Sequence, residues 1–136
     1  MIKIGIFGKN LKSETFPFIQ TLFNKLSSVY AEVFVHEEIY EPLHAKIMMN
    51  QPRVFSTYFE IKDQLDFLIS LGGDGNMLSA VTLVRDSGIP IIGINLGRLG
   101  FLASINKEQI NKAVDCLIEK KYTLESRSLL RLTNPG

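Results

Sequence analysis

Asp66-Phe67-Leu68-Ile69-Ser70-Leu71 running into Gly72-Gly73-Asp74-Gly75 is the stretch that decides the fold. The first six residues are a compact apolar run, short enough for a strand and apolar on both alternating faces, as in a strand covered on both sides. The glycines that follow read as a tight turn. Beyond the turn, Met77, Leu78, Val81 and Val84 mark one face of a helix. Gly88 and Pro90 end that helix, glycine by accepting a left-handed cap and proline by being unable to continue. The unit is strand, glycine turn, helix.

The same pattern recurs on either side. Upstream, Ile2 to Phe7 is a second buried strand stopped by Gly8, and Thr15 to Ser28 carries an apolar stripe at Ile19, Leu22, Phe23 and Leu26 with Pro17 in its first turn. A strand follows from Ala31 to His36. Glu38 to Met49 looks helical despite Pro42, and Asn50 to Lys62 reads as a loop or an edge strand. Downstream, Pro90 to Asn95 is a further strand that opens a second glycine loop, Leu96-Gly97-Arg98-Leu99-Gly100, before Phe101. Asn106 with Gln109 resembles a capping box for a helix whose stripe is Ile110, Ala113, Val114, Leu117 and Ile118, with Cys116 beside it. Tyr122 to Thr133 reads as a strand. Strands alternating with helices at short spacing predict an α/β fold: a Rossmann-like, mostly parallel sheet with helices on both faces.

Composition narrows the function. The 136 residues suit one domain, and 46% hydrophobic with 21% charged residues is the composition of a chain that folds. A formal net charge of +1 advertises neither a nucleic-acid partner nor an anionic membrane surface. One cysteine excludes an internal disulfide framework, and His36 and His44 lack the neighbours of a metal site, so both are expected to be structural or surface residues. No leader pattern or membrane-length apolar run is present, and the expected location is cytoplasmic.

In an open α/β sheet the ligand crevice forms at the carboxyl ends of strands, where loops lead to helix N-termini. Gly72, Gly73 and Gly75 let backbone amides approach an anion closely, and the helix behind them adds a partial positive charge. The pattern is not a dinucleotide fingerprint, because the third glycine of G-x-G-x-x-G would fall on Leu78. Asp74 is the informative residue. A carboxylate inside an anion-binding loop can hold a cation that bridges to phosphate, accept a proton from an attacking hydroxyl, or simply make an Asx turn that caps the helix. Spacing alone leaves these open.

Gly72-Gly73-Asp74-Gly75-Asn76-Met77-Leu78, followed by Ile92-Gly93-Ile94-Asn95-Leu96-Gly97-Arg98-Leu99-Gly100-Phe101-Leu102, resembles the N-terminal domain of NAD kinases. The GGDG element is shared with diacylglycerol, sphingosine and 6-phosphofructokinase-type enzymes, and the second segment narrows the resemblance. It runs from the opening strand to Glu125-Ser126-Arg127-Ser128-Leu129-Leu130. It implies phosphoryl transfer from ATP, accompanied by a divalent cation such as Mg2+, to the 2′-hydroxyl of the adenosine ribose of NAD, giving NADP. Asp74 would be the general base or the carboxylate that orients the hydroxyl. Gly72, Gly73 and Gly75 would face the phosphates, with Gly75 also against NAD, and Phe101 would wall the adenosine pocket. Asn76 reads as a cap, Asn95 as an organiser of the second loop, and Arg98 as a phosphate contact or a solvated arginine. Alternatives are a lipid or sugar kinase of the same superfamily, or a nucleotide-binding module without catalysis.

The resemblance also implies a second, β-rich domain with an Asn-Glu or Asn-Asp motif, and neither dipeptide occurs in these 136 residues. The expectation is a nucleotide-binding domain over residues 1–125, a connection into a second domain over 126–136, and a chain that is inactive alone. The complete protein is expected to be a homo-oligomer.

Overall fold

The computed structural model describes residues 1–72, 74–85, 87–96, 104–124 and 130–132, with the backbone alone described at 74–77, 104, 122–124 and 130–132. Six strands, β1 (Lys3–Gly8), β2 (Glu32–His36), β3 (Arg53–Phe55), β4 (Phe67–Gly72), β5 (Ile91–Asn95) and β6 (Ser104–Asn106), form one sheet. Their order is β3-β2-β1-β4-β5-β6 and every pair is parallel. This is the doubly wound arrangement. From β1 the chain winds outward to β3, then returns to the other side of β1 and winds outward again to β6.

Parallel neighbours require crossovers, and these bury the sheet on both faces. Ile4 and Ile6 of β1, Ile69 and Leu71 of β4, and Ile92 and Ile94 of β5 point to one face. There they meet α1 (Phe16–Ser28) through Ile19, Leu22, Phe23 and Leu26, and α5 (Ile110–Ile118) through Ile110, Ala113, Val114 and Leu117. Lys25 in the last turn of α1 and Asp115 of α5 pair at 2.8 Å. Ile39 and Leu43 of α2 (Glu37–His44) complete this layer. On the opposite face Phe7, Phe34, Phe55, Leu68 and Ile91 pack under Ala80 and Val84 of α4 (Asp74–Val84) and under Ile61 of the single-turn α3 (Tyr58–Ile61).

Register between the central strands is fixed at their starts. The Lys3 backbone N–H donates to the Asp66 carboxylate at 2.7 Å, and the Asp66 N–H donates back to the Lys3 carbonyl at 2.8 Å. Gly5 then stands opposite Leu68, and Gly8 opposite Leu71.

Several expectations need correction. The stripe read on α4 is rotated: Leu78 and Val81 are exposed, and Ala80 and Val84 are the residues against the sheet. The helix is apolar nearly all round, so several stripes fit, and Leu78 lies about 160° around the axis from Ala80. Tyr122 to Thr133 is not one strand but two, β7 (Tyr122–Leu124) and β8 (Leu130–Leu132), paired antiparallel in a sheet of their own. The stretch from Asn50 holds β3 as the expected edge strand, and what was not anticipated is α3 after it, whose start is tied by the Glu60 carboxylate accepting the Ser56 and Thr57 N–H groups, each at 3.0 Å. Those backbone donors hold the Glu60 carboxyl below the usual glutamate range. The helix around Pro42 ends at His44 rather than continuing to Met49. Strand β6 was not anticipated. Asn106 does cap, its side chain accepting the Glu108 N–H at 3.0 Å, ahead of a short 3₁₀ turn that leads into α5.

Among the described residues no helix is long and apolar enough to cross a membrane.

Ile69 is 1% exposed at the centre of the sheet. Ile69→Ala should remove ~2–5 kcal/mol of stability, seen as a lower urea midpoint with an unchanged slope. A loss under about 0.5 kcal/mol would contradict this packing.

Candidate active site at the carboxyl edge of the sheet

All six strands point the same way, so their carboxyl ends form one edge. It carries Phe55, His36, Gly8, Gly72, Asn95 and Asn106 in spatial order. The winding direction reverses between β1 and β4, and in doubly wound sheets the crevice at this switch point is where ligands bind. Gly8 and Gly72 end those two strands.

The backbone here is tight. A Cβ on Gly8 would sit 3.1 Å from the Leu71 carbonyl oxygen of the neighbouring strand. Gly72 has φ +126°, a conformation that side-chain-bearing residues rarely adopt. This turn makes the connection shorter than the sequence suggests: β4 ends at Gly72 and α4 begins at Asp74, so a single residue separates them. The first, unpaired N–H groups of α4 therefore lie immediately beyond the strand end, with the positive end of the helix dipole at the switch point. An anion is the natural guest there.

Asp74 and Gly75 occupy the first two positions of α4, and Asn76 the third. Asp74 is thus a helix-start residue at the switch point. Asn95 is 4% exposed at the end of β5, in register between Gly72 and Asn106, which suits an organiser of this edge. Gly73, Arg98 and Phe101 lie outside the described residues.

Next to the switch point, on the α4 face, is a cavity of about 290 Å³ lined by Phe7, Lys9, His36, Glu38, Ser79, Thr82 and Leu83. His36 was expected to be a structural or surface residue. It is buried at the end of β2, and its Nδ1 accepts the Glu38 N–H at 3.2 Å, capping α2. The signal for this in the sequence is a cap-competent residue at a strand end directly before Glu37-Glu38.

A larger cavity of about 560 Å³ lies at the opposite edge, lined by Ile2, Val29, Asp66, Phe67, Leu117, Ile118 and Lys120. The C-termini of α1 and α5 end there, so the helix dipoles disfavour an anion at that edge and favour one at the carboxyl edge.

The sequence profile of the ATP-NAD kinase N-terminal domain matches residues 4–122. The chain belongs to the NAD kinase family. NAD kinase of Flavobacterium psychrophilum is 42% identical over 132 residues, covering 96% of this chain and 45% of that protein. NAD kinase of Christiangramia forsetii is 38% identical, with 98% and 46% covered, and that of Bacteroides fragilis 36%, with 96% and 45% covered. The chain therefore spans less than half the length of these NAD kinases. Among solved structures, yeast NADH kinase complexed with NADH superposes with a TM-score of 0.72 at 20% identity, covering 96% of this chain and 46% of that one. That likeness establishes a shared fold.

Gly72→Ala in this chain should cost ~1–3 kcal/mol, because the alanine Cβ is strained at this φ. Chemical denaturation reads it directly, and an unchanged midpoint would contradict the conformation described for Gly72.

Proposed function

We propose that the protein carrying this chain is a kinase that transfers the terminal phosphoryl group of ATP to the 2′-hydroxyl of the adenosine ribose of NAD, forming NADP. The observation that carries this reading is the position of Asp74: the first residue of α4, two residues beyond Gly72, at the reversal point of the sheet. Family membership and relatives named NAD kinase support it.

In this reading the amides around Gly72, Gly73 and Gly75 receive the phosphates. Asp74 accepts the proton of the attacking hydroxyl or holds that hydroxyl in line, as phosphoryl transfer depends mostly on positioning and charge stabilisation. Gly75 and Phe101 contact the adenosine part of NAD. The divalent cation that accompanies ATP, Mg2+ in the cell, screens the triphosphate charge. Its fit to this site rests on one carboxylate, Asp74, beside a phosphate-binding helix start.

Residues 1–125 make up the nucleotide-binding domain and residues 126–136 lead into a second domain that completes the dinucleotide pocket. The length of the relatives supports this division, and it leaves the 136-residue chain inactive alone. The complete enzyme is a cytoplasmic homo-oligomer.

Asp74→Asn in the complete protein tests the assignment. It keeps the size and capping ability of the side chain and removes its basicity, so NADP formation should fall ~10²-fold or more. Near-unchanged turnover would remove Asp74 from the proton-transfer role. Phosphorylation of a lipid or sugar in place of NAD would move the chain to a neighbouring kinase class.

A further inference from the structure

The amino edge of the sheet carries a surface that phosphoryl transfer at the carboxyl edge leaves unused. The cavity of about 560 Å³ there is lined by the apolar side chains of Ile2, Val29, Phe67 and Leu117. Exposed apolar residues are grouped around it. Met1, next in the chain to Ile2, is 89% exposed, Tyr30, next to Val29, is 80% exposed, and Ile118, in the lining itself, is 37% exposed. Apolar residues scattered singly on a surface need no partner, whereas several gathered at one recess mark a contact surface.

Tyr30 is the informative residue. It directly follows the C-cap of α1 and has φ +58°, the left-handed position at which helices place glycine or asparagine. Its N–H donates to the Ser27 carbonyl at 3.1 Å, and the Ala31 N–H donates to the Leu26 carbonyl at 3.0 Å, so the turn is closed by the backbone alone. A bulky side chain adds steric cost to that turn, and its exposure shows that packing within this chain does not offset the cost. An aromatic ring held out from the surface on a fixed turn is the kind of anchor that protein interfaces bury.

The surface is complementary to itself. Met1 and Tyr30 each stand two residues before the register pair of Lys3 and Glu32, which makes them neighbours at the amino ends of β1 and β2. Projection and recess therefore lie side by side, and a two-fold axis sets the projection of each copy in the recess of the other. Charge obeys the same symmetry. Asp66 and Lys120 both line the recess with opposite signs, and among the described residues neither has an ion-pair partner. About a two-fold, Asp66 of each copy meets Lys120 of the other, giving two pairs from one patch. The C-terminal ends of α1 and α5 flank the recess and favour the incoming ammonium. A net charge of +1 puts little repulsion between copies.

We infer that the amino edge is an isologous interface between two copies of this chain, in which Tyr30 of each copy enters the recess of the other and Asp66 pairs with Lys120 across the two-fold. The contact goes beyond the kinase reading and does not rest on it, since the carboxyl edge stays open in the dimer.

Sedimentation velocity of the 136-residue chain over a concentration series tests this. The wild-type chain should pass from monomer to dimer at high micromolar concentration. Tyr30→Gly should weaken self-association about thirtyfold or more, the loss of a central interface anchor. Lys120→Glu, which sets a carboxylate against Asp66 of the other copy, should weaken it about fivefold or more. In dilute solution, where both are monomeric, Tyr30→Gly should melt no lower than wild type, because glycine relieves the left-handed turn. A lower midpoint would show that Tyr30 packs within its own chain and would overturn the proposal. So would a wild-type chain that stays monomeric at high micromolar concentration, or a dimer that either variant leaves unchanged.

Discussion

The parallel pairing of β1 with β4 is the constraint on which the rest of the molecule depends. It joins two strands separated by a long excursion of the chain, and it is held at its start by the reciprocal bonds between Lys3 and Asp66. With β1 and β4 side by side, β2 and β3 must lie on one flank and β5 and β6 on the other, and every crossover must cover a face of the sheet. The two buried layers, α1 with α5 and α4 with α3, follow from that pairing. So does the place where the winding reverses.

The candidate site lies at the other end of the same two strands. Because Gly8 and Gly72 finish opposite the tight carbonyl of Leu71 and at a positive φ, the chain can turn into α4 within one residue. The helix start, with Asp74 first, is thereby fixed against the rigid centre of the sheet rather than carried on a long loop. Positional precision of that kind matters for phosphoryl transfer, in which a small displacement of the reacting groups costs much of the rate. Charge acts in the same sense. Helix N-termini gather at the carboxyl edge and C-termini at the amino edge, so the carboxyl edge is the one suited to a phosphorylated ligand.

Much of this was legible in the residues. Strands β1, β4 and β5 are continuous apolar runs closed by glycine or a polar residue, and α1 and α5 have stripes too regular to misread. Short edge elements were not legible: three residues in β6 cannot display a period, and β3 is half exposed. The face of α4 was misassigned because Met77, Leu78, Val81, Leu83 and Val84 satisfy more than one stripe, and it is the small Ala80 that faces the sheet. At the candidate site, Asp74 and its flanking glycines stand out in sequence because a carboxylate among glycines that suit an anion is chemically costly. His36 does not, since its environment is assembled from Phe7, Phe55 and α4, all distant along the chain.

The most direct test of the account is amide chemical-shift mapping of the 136-residue chain titrated with ATP. The account predicts perturbations at the carboxyl edge, at Gly8 to Asn10, His36, and Gly72 through the first turn of α4, with Ile2, Asp66 and Lys120 at the opposite cavity silent. Perturbations centred on that amino-edge cavity instead would contradict it.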